Sequence, residues 1–376
     1  MKKILALLLV LAMVLGCLAG CGTPANNTNT SNTNNVEPED PYAKWPEKDI
    51  TIKVCYTAGG TADTCARALA VEMSKYLGVN ISVTNVTGGS GSICGQEVYS
   101  AKDDGYTWQG DVAHTASGWR PMDYADLSWE DFYGFYAGTA PYILFVNKDS
   151  KYNTYQELFD AMKADPTIKW GNAGLGSINQ LTGQLMCDIL GLQGNSLPYN
   201  GGREAANKVL AGEVVWSWCG ASDVMDLAIS GDIKVLGVCD SNDFEINCVN
   251  GAYKAPSLLK DYPQLSTLEG LLYWGIRVPR YTDPAIIAKI TEAFKYAVEQ
   301  PDFKKYCENN ALTPAVAYGP DCDEMCARLE SIYAWGLFDS GLGSISPEKY
   351  QVPRIGDFKF PANDRQKNIN QWPAEK

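Results

Sequence analysis

The sequence has a single histidine, His114, in 376 residues, so no site that needs two can be built. A histidine-rich zinc centre is excluded, and a Ser-His-Asp triad would have to use this one residue. Positive charge is also scarce. Lys and Arg number 31 against 44 Asp and Glu, a formal charge of −13, and no basic stripe exists to neutralise phosphates. That argues against a nucleic-acid partner. Internal repeats with a period of 20 to 50 residues are absent. No Gly-x4-Gly-Lys-Ser/Thr phosphate loop occurs, and Gly89-Ser90-Gly91-Ser92-Ile93-Cys94-Gly95 misses the dinucleotide fingerprint by one residue. No Gly-x-Ser-x-Gly elbow is present either, which weakens a secreted-hydrolase reading. What remains is a globular composition, 45% hydrophobic and 20% charged, long enough for two domains.

The longest apolar run, Ile4 to Leu15, is too short for a comfortable membrane span, which needs about 20 residues. Lys2 and Lys3 precede it and small residues follow, the pattern of a secretory signal. Leu18-Ala19-Gly20-Cys21 resembles the lipobox of bacterial lipoproteins. It implies a signal over residues 1–20 and lipidation at Cys21; the alternative is an ordinary signal cleaved near Ala19 or Ala25. The Asn/Thr-rich stretch beyond, residues 21–44, reads as a disordered tether. Losing Lys2 and Lys3 with the signal takes the charge from −13 to −15.

Twelve cysteines in an exported chain would usually suggest disulfides. Cys65, Cys187 and Cys326 fall on expected helices, however, and Cys55 and Cys239 on expected strands. Mostly reduced thiols, packed as small hydrophobes, are therefore expected. Cys322 and Cys326 lie one helical turn apart, but Cys307 is the only further ligand nearby, so no metal site is expected.

From Ile50 the order is strand, Gly-rich turn, helix, repeated through Asp111. It predicts an α/β fold with a mainly parallel sheet. The order restarts after the apolar stretch Tyr142 to Val146, giving a second unit, and Leu271 to Val278 could return the chain to the first. The expected division is 45–143 plus 268–344 for one lobe, 144–267 for the other, and a surface extension over 345–376. Two crossings between two α/β lobes imply a cleft.

Three turns share one design, a strand end followed by glycine and hydroxyl or amide residues and then a helix start. They are Ala58-Gly59-Gly60-Thr61-Ala62-Asp63, Gly174-Leu175-Gly176-Ser177, and Tyr199-Asn200-Gly201-Gly202. Free N–H groups at a helix start, reinforced by the macrodipole, suit an anion. Taken singly, each turn is equally explained by N-capping and turn chemistry. Three along one edge of two sheets are a stronger signal, because ligands of open α/β sheets sit at the carboxyl ends of strands.

Ile52-Lys53-Val54-Cys55-Tyr56-Thr57-Ala58-Gly59-Gly60-Thr61-Ala62-Asp63 resembles the opening of the tripartite tricarboxylate transporter substrate-binding proteins. Asn85-Val86-Thr87-Gly88-Gly89-Ser90-Gly91, Lys102 to Thr107, Leu197 to Gly202, Leu210 to Val214, Ile229 to Lys234 and Tyr273-Trp274-Gly275-Ile276 extend the similarity in order over roughly residues 45–340. The resemblance implies a two-lobed clamshell of the periplasmic-binding-protein type II class. Such a protein captures a small organic carboxylate outside the cytoplasm, as a monomer without cofactor or catalysis, and delivers it to a membrane permease of large and small subunits. A ligand-sensing lipoprotein of the same fold is the alternative.

The resemblance places the ligand against Ala58, Gly59, Gly60, Thr61 and Asp63, with His114 and Thr115 from the turn after the third strand. Gly174, Ser177, Tyr199 and Gly202 come from the second lobe. Asp63 is expected to cap the helix or orient the loop. Where many members carry Asp or Ser after the second lobe's strand, this chain has Cys219, preceded by Trp216 and Trp218. Trp218 and Cys219 could form an aromatic and thiol wall for a bulkier ligand, or Trp216 and Trp218 could pack in the core, since alternate strand residues share a face. His114 is either a neutral donor to a carboxylate or a structural residue.

Overall fold

The computed structural model describes residues 42–373. The signal, Cys21 and nearly all of the tether lie outside them. From Lys44 onward the described residues form one compact unit.

The apolar strand β1 (Ile50–Val54) buries alternate residues and runs through the first Gly-rich turn into α1 (Thr61–Leu77), which Gly78 ends in a left-handed cap. Next come β2 (Ile81–Asn85), α2 (Ser92–Tyr99), β3 (Thr107–Val112) and β4 (Phe132–Thr139). The chain then crosses to β5 (Tyr142–Asn147), α3 (Tyr155–Ala164), β6 (Lys169–Asn172), α4 (Ile178–Leu190), β7 (Asn195–Pro198) and α5 (Gly202–Leu210). After β8 (Trp216–Gly220), α6 (Met225–Ser230) and β9 (Ile233–Cys239), a hairpin of β10 (Phe244–Cys248) and β11 (Gly251–Ala255) projects. The return is β12 (Tyr273–Pro279), followed by α7 (Pro284–Glu299), α8 (Pro301–Asn309), β13 (Thr313–Ala317), α9 (Gly319–Asp339) and the short α10 (Asp364–Lys367).

Two sheets result. One has the order β13-β4-β12-β3-β1-β2, the other β7-β6-β8-β5-β9. The architecture is the expected two-lobed α/β fold, but both sheets are mixed rather than mainly parallel. Only β1 pairs in parallel with β2 and β3, and β6 with β7 and β8. The crossing strands explain the difference. β12 returns from the second lobe and inserts antiparallel between β3 and β4, while β5 enters the second lobe antiparallel to β8 and β9. β4 carries no alternating pattern because seven of its eight residues are buried.

In the first lobe a buried Asp111–Arg277 ion pair joins β3 to β12 beneath Trp119 and Phe132. In the second, Trp170 stacks on Trp216 at 4.8 Å and Tyr142 on Trp218 at 5.3 Å. The C-terminal segment winds over the first sheet. Trp372 packs edge-on against Tyr133 and Phe135, and Arg365 reaches Glu130 at 2.6 Å. All ten cysteines in the described residues are free thiols, nine of them buried. Cys55 lies one residue past β1 rather than on it. No cluster of three potential metal ligands occurs among the described residues, and no helix there is long and apolar enough to cross a membrane.

Candidate functional site

The Gly-rich turns meet across the lobes. Thr57 donates its N–H and its hydroxyl to the Asn200 carbonyl at 3.0 and 2.8 Å, and Ser90 Oγ donates to the Leu175 carbonyl at 2.8 Å. Tyr124 reaches the same carbonyl at 3.2 Å, while Tyr333 bonds Gly176. Glycine is needed for this approach: a Cβ on Gly174, whose φ is +134°, would stand 3.0 Å from Ser90 Oγ and 3.2 Å from the Tyr199 carbonyl.

Two adjoining cavities lie between the lobes, sharing Tyr56 and Ala173. The smaller, about 30 Å³, is ringed by the starts of α1, α4 and α5 together with His114, Asp223, Leu272 and Trp274. The larger, about 190 Å³, is bounded by the Gly88–Gly91 turn, Tyr124, Gly174, Leu175, Tyr199 and Asn200. Of the residues singled out from sequence, Gly60, Thr61, His114, Ser177 and Gly202 line the first cavity, and Gly174 and Tyr199 the second.

Ala58, Gly59, Asp63, Thr115, Trp218 and Cys219 line neither. Asp63 accepts from Gly59 N–H at 3.0 Å, Arg67 Nε at 3.0 Å and Asn85 Nδ2 at 3.0 Å, so it orients the turn that holds Gly60 and Thr61. Burial alone would raise its pKa, but these donors outweigh that and hold it below the usual carboxylate range. Thr115 stands behind the wall, its hydroxyl 3.3 Å from that of Tyr56.

The aromatic and thiol wall does not form. Trp218 and Cys219 are fully buried; Trp218 Nε1 donates to Thr182 Oγ1 at 3.0 Å, and Cys219 packs under Gly202. β8 extends to Gly220, so Cys219 is inside the strand rather than after it. The residues after the strand are Ala221, Ser222 and Asp223, and the last two are the polar pair that meets the first lobe. Asp223 Oδ1 accepts from Thr61 N–H and Oγ1, both at 2.8 Å, and Thr61 Oγ1 lies 2.9 Å from Ser222 Oγ. A carboxylate of the second lobe thus caps α1 of the first. Its burial raises the Asp223 pKa despite the bonds from Thr61 and the neighbouring Arg203. Sequence reasoning missed Asp223; the available signal was an acid just past a strand end, at the sheet edge that carries the three turns.

His114 is 1% exposed, and burial lowers its pKa to about 3, so it is neutral. Its Nδ1 lies 3.3 Å from the Leu271 carbonyl. A carbonyl only accepts, so the proton sits on Nδ1 and Nε2 is an acceptor. The ring is therefore not a donor to a carboxylate. Ser177 Oγ caps α4 by accepting from Gln180 N–H at 3.2 Å. Arg203 at the start of α5 is engaged by Asp226, at 2.5 and 2.8 Å.

Two α/β lobes joined by two crossings, with helix starts lining the cleft between them, define a two-lobed solute-receptor architecture. The pattern of the tripartite tricarboxylate transporter family receptor matches residues 65–327, and the chain belongs to that family. The family is one of extracytoplasmic solute receptors. A UPF0065 protein of Agrobacterium vitis is 28% identical over 267 residues, 68% of this chain and 73% of that protein. Protein BugT of Bordetella pertussis is 24% identical, covering 73% and 83% respectively. Among solved structures, the periplasmic binding protein BugD superposes with a TM-score of 0.70 at 21% identity, over 80% of this chain and 99% of that one. Rpa4515 of R. palustris, solved with adipate, also gives 0.70 at 19% identity, over 80% and 100%. MatC of Rhodopseudomonas palustris, solved with malate, gives 0.68 at 20%, over 78% and 100%.

Proposed function

We propose that the protein is a lipid-anchored receptor, tethered through Cys21, that captures a small organic carboxylate between its lobes. It would deliver that ligand to a tripartite tricarboxylate-type permease of large and small subunits. The observation that carries this reading is the convergence of three helix N-termini on one interlobe cavity, each bringing backbone N–H groups and the positive end of its dipole. Family membership and the carboxylates named for Rpa4515 and MatC support the ligand class. Global negative charge is no obstacle, because salt screens it beyond about 8 Å while the N–H groups act at contact. Binding would favour the closed lobes by its differential affinity, and the permease would recognise the closed form.

Thermal unfolding against a panel of mono-, di- and tricarboxylates tests the receptor reading. A ligand at a hundred times its dissociation constant adds about 2.7 kcal/mol, a shift of roughly 2–4 °C for a protein of this size. A panel in which no acid shifts the transition overturns it. Anchoring is tested separately: Cys21→Ser should release the exported protein from the membrane fraction, and retention of the variant there would exclude this anchor.

A further inference from the structure

Across the cleft the first lobe donates and the second accepts. Thr57 gives its N–H and hydroxyl to the Asn200 carbonyl, Ser90 and Tyr124 their hydroxyls to the Leu175 carbonyl, and Tyr333 of α9 its hydroxyl to the Gly176 carbonyl. Thr61 gives its N–H and hydroxyl to Asp223 Oδ1. The accepting atoms lie in the turns after β6, β7 and β8, so the lobes are tied at three separate places of the second lobe.

Much of this contact is shut off from water. Thr61, Ser222, Asp223 and Tyr333 are all buried. Packing follows the bonds: a Cβ on Gly176 would come within 2.6 Å of Met122, and one on Gly336 of α9 within 2.8 Å of Leu181 on α4. Tyr333 lines neither cavity, yet its ring stands edge-on to His114 at 5.2 Å, and the carbonyl it bonds immediately precedes Ser177, the cap of α4. Each such bond gains little over the one its groups make with water. Bonds made together by two bodies share a single closing event, however, so each one formed makes the next intramolecular.

We propose that these contacts form a latch: the lobes close on the chain's own bonds, and a ligand enters through a transient opening instead of being required to bring the lobes together. Asp223 and Tyr333 are its positioning residues, one from each lobe. A bound ligand then adds its differential affinity to a preference for closure that already exists. The latch does not depend on which solute the cleft takes.

The test is hydrogen exchange of the purified chain, refolded from guanidinium to strip bound solutes, read at the Thr57 amide. Thr57 is half-buried and its N–H has an acceptor in the other lobe, so it exchanges when the lobes part. In the ligand-free native chain it should exchange at least about 100-fold more slowly than an unstructured amide. Asp223→Ala removes the acceptor of Thr61, and Tyr333→Phe removes the hydroxyl while keeping the ring against His114. Neither residue bonds Thr57, but the first should speed its exchange about tenfold and the second about threefold. The amide of Ile52, buried in the first sheet, should stay near its native rate in both. An unprotected Thr57 in the native chain would show that the lobes stand open, and overturns the proposal. Unchanged Thr57 exchange in both variants does the same. Equal acceleration at Thr57 and Ile52 also overturns it, by assigning the two residues to the stability of the fold.

Discussion

Asp63 and Asp223 are both buried at the N-terminal end of α1, yet their acidities move in opposite directions. Asp63 belongs to the helix it serves, and its three donors come from its own lobe. They outweigh the burial and stabilise the charge. Asp223 belongs to the other lobe and its Thr61 donors exist only while the lobes touch; burial wins, and its pKa rises. The same residue type at the same helix end is structural when its partners are local, and conditional when they lie 162 residues away.

Substitutions at three positions test this contrast. The largest effect is expected behind the second-lobe corner. Trp218→Ala should cost about 3–5 kcal/mol in urea unfolding, as for other large buried aromatics, while leaving ligand preference unchanged. A changed preference would restore Trp218 as a cleft residue.

Asp63→Ala should cost about 1.5–3 kcal/mol, because it removes the charged acceptor of the Gly59 N–H, of Arg67 and of the Asn85 amide, although the amide keeps its bond to the Tyr56 carbonyl. Asp223→Ala should cost only about 1 kcal/mol, since opening the lobes lets water reach Thr61. Equal losses at the two positions would show that Asp223 is held in the folded ground state as firmly as Asp63.

The smallest effect is a sign in the pH dependence. Asp63, with its folded pKa depressed, contributes stability above the unfolded carboxylate value of about 3.9, lost as pH falls through the folded value. Asp223, with its folded pKa raised, costs stability above that folded value, and the cost is relieved as pH falls through it. Relative to the native chain, Asp63→Asn should therefore flatten the acid loss of stability and Asp223→Asn should steepen it. Urea titrations between pH 3 and 6 would read both slopes, and slopes altered in the same direction would remove the contrast.

Much of this was legible from the chain. The turns after β1, β6 and β7 announced themselves by glycine and hydroxyl residues at strand ends, and seven residues taken from them and from the turn after β3 line the two cavities. Trp218 and Cys219 misled because period-two alternation says which residues share a face but not which face is covered. β8 also runs past Cys219 to Gly220, and that places Asp223 rather than Cys219 at the cleft. β4 was invisible for the related reason that a strand buried on both faces loses its alternation.

Local backbone preference and composition were enough to set the α/β order, the positions of the glycine turns and the exclusion of paired-histidine chemistry, so all three could be read along the chain. Three other features came only with the folded arrangement: Asp223 caps a helix of the other lobe, His114 is buried and donates through Nδ1 to the Leu271 carbonyl, and the crossing strands make both sheets mixed. Each of those depends on contacts between segments far apart in the chain, and spacing along the chain carries no information about such contacts.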